Sequence, residues 1–109
     1  MNNEKLKNKY LPMTETAYYI LLSLNESRHG YGIMQHVEDI TDGRIKLGPG
    51  TIYGTLSKLE KDHLILSVAE EDRRKFYKLS ETGKELLQLE IERLQELIKN
   101  GNNEMEGKQ

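Results

Sequence analysis

The sequence predicts a mainly α fold (α+β) that carries one β-hairpin, and three observations lead there. Apolar residues recur at helical spacing in several separate stretches, most clearly Ala17, Ile20, Leu21 and Leu24. Capping residues, glycines and a proline punctuate those stretches. Only one pair of neighbouring segments, Leu64–Val68 and Arg73–Leu79, reads as two strands joined by a short turn.

After Met1, the residues through Lys9 are polar and basic with Leu6 as the one apolar side chain, so residues 1–10 are expected to be a flexible arm or a frayed helical turn. Thr14 then suits an N-cap, with Glu15 favourably placed on the helix dipole. Tyr18, Tyr19 and Leu22 widen the apolar face of this helix and predict burial. After a polar break at 25–29, Gly30-Tyr31-Gly32 opens a second helix with Ile33, Val37 and Ile40 on one side and Met34 beside them. Asp42-Gly43 closes it, Gly43 suiting a left-handed C-terminal cap. Arg44-Ile45-Lys46-Leu47 alternates and is expected to form a short strand.

Gly48-Pro49 starts a third helix, where a proline at the first position loses no hydrogen bond. Ile52, Leu56 and Leu59 form its buried stripe, and it should end near Asp62-His63. The hairpin follows, with its turn expected at Ala69-Glu70-Glu71-Asp72. Ser80 caps a last helix expected over 80–99, with Asn100-Gly101-Asn102-Asn103 ending it and a disordered tail to residue 109. Three helices in a tight unit followed by a two-stranded hairpin describe a winged helix-turn-helix, expected over 11–79.

Composition narrows the class. The absence of cysteine excludes a disulfide scaffold or thiolate zinc site, and the apolar runs are too short to span a bilayer. An intracellular, soluble protein is expected. The net charge of -2 conceals a basic middle, with 8 basic and 5 acidic side chains over 44–78 against an acidic excess on both flanks. That distribution suits a middle segment meeting phosphate and ends meeting protein.

Fold alone does not give function. The helix-turn-helix mode puts the second helix of the pair in the major groove, here the third helix. Its outer side carries Thr51, Gly54, Thr55 and Lys58. The hydroxyls can reach phosphate or base edges, the Thr51 methyl can touch a thymine methyl, and Lys58 can neutralise a phosphate. Gly54 costs ~1 kcal/mol relative to alanine mid-helix; close approach to a duplex and room for a neighbouring helix both account for it. Gly48, Pro49 and Gly50 leave backbone N–H groups open to an anion or form a plain turn. Tyr53 and Tyr31 are expected to pack their rings, with hydroxyls able to reach a backbone phosphate. Lys46 lies just upstream as a phosphate contact. Arg73, Arg74 and Lys75 are the densest cationic run, expected to divide between local pairing with Glu70, Glu71 and Asp72 and a grip on DNA.

The last helix carries another message. Leu87, Ile91, Leu94 and Ile98 follow a heptad seam, broadened by Leu86, Leu89 and Leu97; a second copy of the chain is the simplest cover for it, the alternative being that the helix, Leu86 and Leu89 first, folds back on its own domain. No catalytic constellation is visible. His29, His36 and His63 lack metal-ligand spacing and read as surface or capping residues, and no serine sits in an elbow motif. No cofactor or metal is expected, and no enzyme activity.

In order, Gly30-Tyr31-Gly32, then Gly50-Thr51-Ile52-Tyr53 with Leu56, Leu59 and Glu60, then Arg73-Arg74-Lys75-Phe76-Tyr77 with Leu79, Thr82 and Gly83, resemble the PadR family of transcriptional regulators over about residues 11–98. The resemblance implies a cytoplasmic, homodimeric winged-helix regulator, usually a repressor on an inverted-repeat operator, which a small-molecule effector near the dimer interface releases in several members. It matches Thr51, Tyr53, Gly54, Ser57 and Lys58 to the recognition helix, Arg73, Arg74 and Lys75 to the wing, and Leu86–Ile98 to the dimerisation helix. Two departures stand out. Multidrug-binding members stack planar drugs on a tryptophan near the position of Leu94, and this chain has no tryptophan; its wing tip is acidic and lacks the glycine often found there. The rival readings are a winged-helix protein-interaction module without DNA, which the acidic ends favour, and a small hydrolase or ligand-binding enzyme, which the missing catalytic cluster disfavours.

Overall fold

The computed structural model describes residues 3–107. Its elements run α1 (Asn3–Tyr10), α2 (Glu15–Ser23), α3 (Gly30–Ile40), α4 (Pro49–Lys61), β1 (Ile65–Glu71), β2 (Arg74–Leu79) and α5 (Glu81–Met105). The capping signals act where the sequence put them. Thr14 Oγ1 accepts from the Ala17 N–H at 3.1 Å, and Ser80 Oγ accepts from the Gly83 N–H at 3.0 Å. Gly43 closes α3 at φ +78°, its N–H reaching the Glu38 carbonyl at 2.8 Å. Pro49 takes the first position of α4 behind the N-cap Gly48.

Ile20, Leu21 and Leu24 from α2 and its cap, Ile33 and Val37 from α3, and Ile52, Leu56 and Leu59 from α4 meet in one core. Leu64, Ile65, Tyr77 and Leu79 close it from the hairpin, Leu86 and Leu87 from α5. Ile40, expected with them, is exposed at the end of α3. The hairpin is antiparallel, pairing Ile65 with Leu79 and Glu71 with Arg74, and a bulge lies between Ser67 and Ala69.

Four expectations are corrected. Residues 3–10 form α1 instead of a mobile arm, because Leu6 and Tyr10 are buried one turn apart on one helical face. Arg44–Leu47 makes no strand; Ile45 and Leu47 pack on the core, and the Ile45 N–H bonds Thr41 Oγ1 at 3.1 Å. The free edge of β2 is met by Arg28 instead, whose N–H and carbonyl exchange bonds of 3.1 and 2.9 Å with Tyr77. The hairpin turn is tighter than expected: β1 continues through Glu71, and Asp72 and Arg73 turn the chain with φ of 50° and 67°. Two successive left-handed residues give the mirror-image turn that matches the twist of paired strands. The last helix passes straight through Asn100-Gly101-Asn102-Asn103 to Met105. At 25 residues it spans about 37 Å, which helps make the molecule 56 Å in its longest dimension. Of the tail expected to be disordered, residues 108 and 109 lie outside the described residues.

Buried charge ties these elements together. Asp62, at the C-cap of α4, accepts from the Tyr10 hydroxyl at 2.5 Å and pairs with Lys9 Nζ at 2.7 Å. The hydrogen bonds from Lys9 and Tyr10 hold its carboxyl below the usual range. Glu90, almost wholly buried on α5, takes two bonds from Arg93 at 2.7 and 2.8 Å and one from the Met13 N–H at 3.2 Å. Arg93 is the main reason that its carboxyl also sits below the usual range. Asp62 thus anchors α1 to α4, and Glu90 anchors α5 to the entry of α2.

Candidate nucleic-acid interface

The outer side of α4 is bare. Pro49, Gly50, Thr51, Tyr53, Gly54, Ser57 and Lys58 are exposed, Thr55 is half-exposed, and Lys46 is exposed in the loop just upstream. A Cβ built on Gly54 meets nothing within 4 Å, and the same is true of Gly48 and Gly50. Gly54 therefore makes no room for a neighbouring helix of its own subunit. Its cost in helix propensity has no return inside the subunit.

Lys58 leans toward α1, its Nζ 5.6 Å from the centre of the Tyr10 ring. A 170 Å³ groove runs between α1, the start of α2 and α4, lined by Lys9, Thr14, Thr16, Thr55 and Lys58 among others. α1 is thus a wall of the candidate interface. Its signal in the sequence was the pairing of Leu6 with Tyr10 four residues on.

On the other flank of α4 stands the wing. Arg73, Arg74 and Lys75 are all exposed. Glu70 faces Lys75 and Glu71 faces Arg74 across the ladder. Among the described residues, none of the three cations joins a carboxylate in an ion pair, so the expected local pairing is not formed. Arg73 sits in the turn, and only Arg74 and Lys75 are strand residues.

Tyr53 and Tyr31 depart from expectation. Each is 55% exposed, with its ring outside the core. The Tyr53 ring lies over Gly30, where a Cβ would stand 2.8 Å from its Cε1, Cζ and hydroxyl. Tyr53, Gly30 and Tyr31 line a 320 Å³ cleft together with His29, Glu70, Tyr77 and the three wing cations. His29 was visible in the sequence as a capping candidate but not as part of this site.

The residues expected on the dimer seam separate into two groups. Leu86 and Leu87 are buried in the subunit's own core. Ile91 and Leu94 are half-buried, while Leu97 and Ile98 are 51% and 62% exposed. The uncovered part of the stripe therefore begins near Ile91, a turn later than the heptad spacing suggests.

Three packed helices, a two-stranded wing and a bare outer face on the second helix of the pair define a winged helix-turn-helix regulator. The family comparison agrees: residues 20–89 match the transcriptional regulator PadR-like family, and the chain belongs to it. It is 35% identical over 82 residues to the transcriptional regulator YqjI of Escherichia coli, covering 72% of this chain and 39% of that protein. It spans only 17% of another curated relative, a 37.1 kDa protein of a Streptomyces fradiae transposon. Among solved structures, a PadR family transcription regulator from Clostridium difficile matches with a TM-score of 0.70 at 23% identity, over 84% of this chain and 99% of that one. A transcriptional regulator from Clostridium thermocellum matches with a TM-score of 0.68 at 23% identity, over 95% and 96%. No helix among the described residues is long and apolar enough to cross a membrane.

Proposed function

We propose that the chain is a sequence-specific, double-stranded-DNA-binding repressor that acts as a homodimer on a palindromic operator. The observation that carries this reading is the bare outer row of α4, flanked by wing cations that no carboxylate of the described chain neutralises. Thr51, Gly54 and Thr55 are offered to base edges, with Gly54 allowing the helix backbone close to the duplex. Lys46, Lys58, Arg73, Arg74 and Lys75 are offered to phosphates, which supply affinity without sequence information.

The second copy covers Ile91, Leu94, Leu97 and Ile98 of α5. Two α4 helices would then sit about 34 Å apart, one turn of the duplex. The family resemblance adds a small-molecule effector that releases the DNA, and the cytoplasm as the place of action.

A mobility-shift titration with the DNA upstream of the chain's own gene tests the reading. A retarded complex that survives excess random DNA is expected. Lys58→Ala should weaken binding on every sequence and lower the salt slope by about one unit. Ile98→Glu should convert the dimer to monomer in sedimentation equilibrium and weaken binding with it. Wild-type protein that retards no DNA at low salt, or that stays monomeric at high concentration, refutes it.

A further inference from the structure

His29 is held in an unusual position for a capping residue. Its Nδ1 accepts the Gly32 N–H at 3.0 Å, which caps α3. A ring nitrogen that accepts carries no proton, so the proton of the neutral ring is on Nε2. Nε2 in turn lies 3.4 Å from Nη1 of Arg74, the first strand residue after the wing turn. A guanidinium only donates. Two donors therefore face each other across the cleft with no acceptor between them.

The ring cannot readily turn away from this conflict. Phe76 meets it edge-on at 5.0 Å between centroids, and Tyr31 lies nearly parallel to it at 6.4 Å. The rest of the 320 Å³ cleft adds Arg73, Lys75 and the rings of Tyr31 and Tyr53, with Glu70 the one acidic side chain on its lining. A metal cation is disfavoured, because the outward nitrogen is protonated and a guanidinium stands beside it. The site lacks an anion with at least two oxygens, one for Nε2–H and one for the guanidinium fork.

We propose that His29 and Arg74 together hold one phosphate of the DNA backbone in this cleft. The inference rests on the DNA-binding reading above. Tyr53 of α4 forms one wall and wing cations another, so a strand that passes between helix and wing brings its phosphate to this point. His29 is then both the cap of α3 and a neutral donor to DNA, and the bound phosphate removes the donor–donor conflict.

His29→Asn separates the two roles, because asparagine also caps helices but does not present Nε2–H to the cleft. The expected result is an unchanged melting temperature with affinity lower by on the order of ten-fold on operator and random DNA alike. The salt slope should stay at the wild-type value, since no cation is lost, whereas Arg74→Gln should lower it by about one unit. The double variant should lose less than the two single losses combined, because both groups hold the same phosphate. If wild-type protein binds DNA and His29→Asn binds equally well, or if the double variant is strictly additive, the inference falls and the DNA reading stands. If wild-type protein binds no DNA, the DNA reading falls, and the cleft is tested alone by following the His29 ring resonances with inorganic phosphate. A saturable shift that Arg74→Gln abolishes supports an anion site with free phosphate as its source. No shift overturns the site.

Discussion

Gly83 lies where α5 crosses the start of the hairpin, and replacing it with alanine probes that joint. A Cβ at Gly83 would stand 2.1 Å from the Leu64 carbonyl oxygen, 3.1 Å from its carbon and 3.2 Å from Leu79 Cδ2. A relaxed carbon–oxygen contact begins near about 3.3 Å, so helix and hairpin must separate by about 1 Å. The Leu64 carbonyl cannot move freely, since it accepts the Ser80 N–H at 3.0 Å. Ser80 itself caps α5 and donates its hydroxyl to the His63 carbonyl at 2.7 Å. Overpacking of this kind costs about 1–3 kcal/mol, and loosening one backbone bond adds about 1 kcal/mol. The gain in helix propensity, at most about 1 kcal/mol, is smaller in a first turn. Gly83→Ala should therefore destabilise by about 2–3 kcal/mol. Gly54→Ala is the internal control: its Cβ meets open space, so it should stabilise by up to about 1 kcal/mol. Urea unfolding followed by circular dichroism, at one fixed protein concentration so that any dimerisation contributes equally, gives both values. Equal shifts in the same direction would show that the Gly83 contact is not a constraint in solution.

Further outcomes follow from the same geometry. Gly54→Ala, although more stable, should bind DNA more weakly in the mobility-shift assay; unchanged affinity would mean that the helix backbone does not approach the duplex there. Tyr10→Phe removes the buried donor to Asp62 and should cost about 1–3 kcal/mol, read from the same urea curves. Arg73→Gly relieves a left-handed non-glycine residue, and after the entropy cost of glycine it should still gain about 0.5 kcal/mol while losing DNA affinity. The carboxyls of Asp62 and Glu90 are held below their usual range. Their stabilisation is complete above an unfolded-state pKa of about 4 and declines as pH falls through the lower folded values. Glu90→Gln should flatten that acid limb in a pH series of melting temperatures.

Local rules made most of the fold legible in the sequence. The apolar periods of α2, α3 and α4, the caps at Thr14 and Ser80, and the left-handed Gly43 all depend on residues within one or two turns. Several of the features that escaped depend on distant partners. α1 owes its docking to Asp62, which lies 52 residues from Tyr10. Glu90 looks like one more surface carboxylate until Met13, 77 residues away, comes beside it; its position three and four residues beyond Leu87 and Leu86, on their face, was the available signal. The wing turn was misplaced because Arg73 adopts a backbone region that favours glycine. The continuation of α5 through Gly101 was missed because one glycine costs only about 1 kcal/mol, too little to stop a long helix. At the candidate interface the outer row of α4 was read directly. The cleft was not, because it joins the cap of α3 to a wing residue 45 positions away.

The distribution of paired charge bears on function more than the net charge does. The buried carboxylates are both satisfied at joints: Asp62 by Lys9 and Tyr10, Glu90 by Arg93 and Met13. Each joint fixes an element beside α4 or its supports, and each uses a cation from the flanks of the chain instead of the basic middle. Arg73, Arg74 and Lys75 keep no such partner among the described residues, although Glu70 and Glu71 are their ladder neighbours. Surface pairs of that kind stabilise by only about 0–1 kcal/mol, so leaving them unformed costs the fold little. A phosphate that meets those cations then has no internal ion pair to break. An acidic chain can in this way present a locally basic face, and its overall charge is a poor guide to what that face binds.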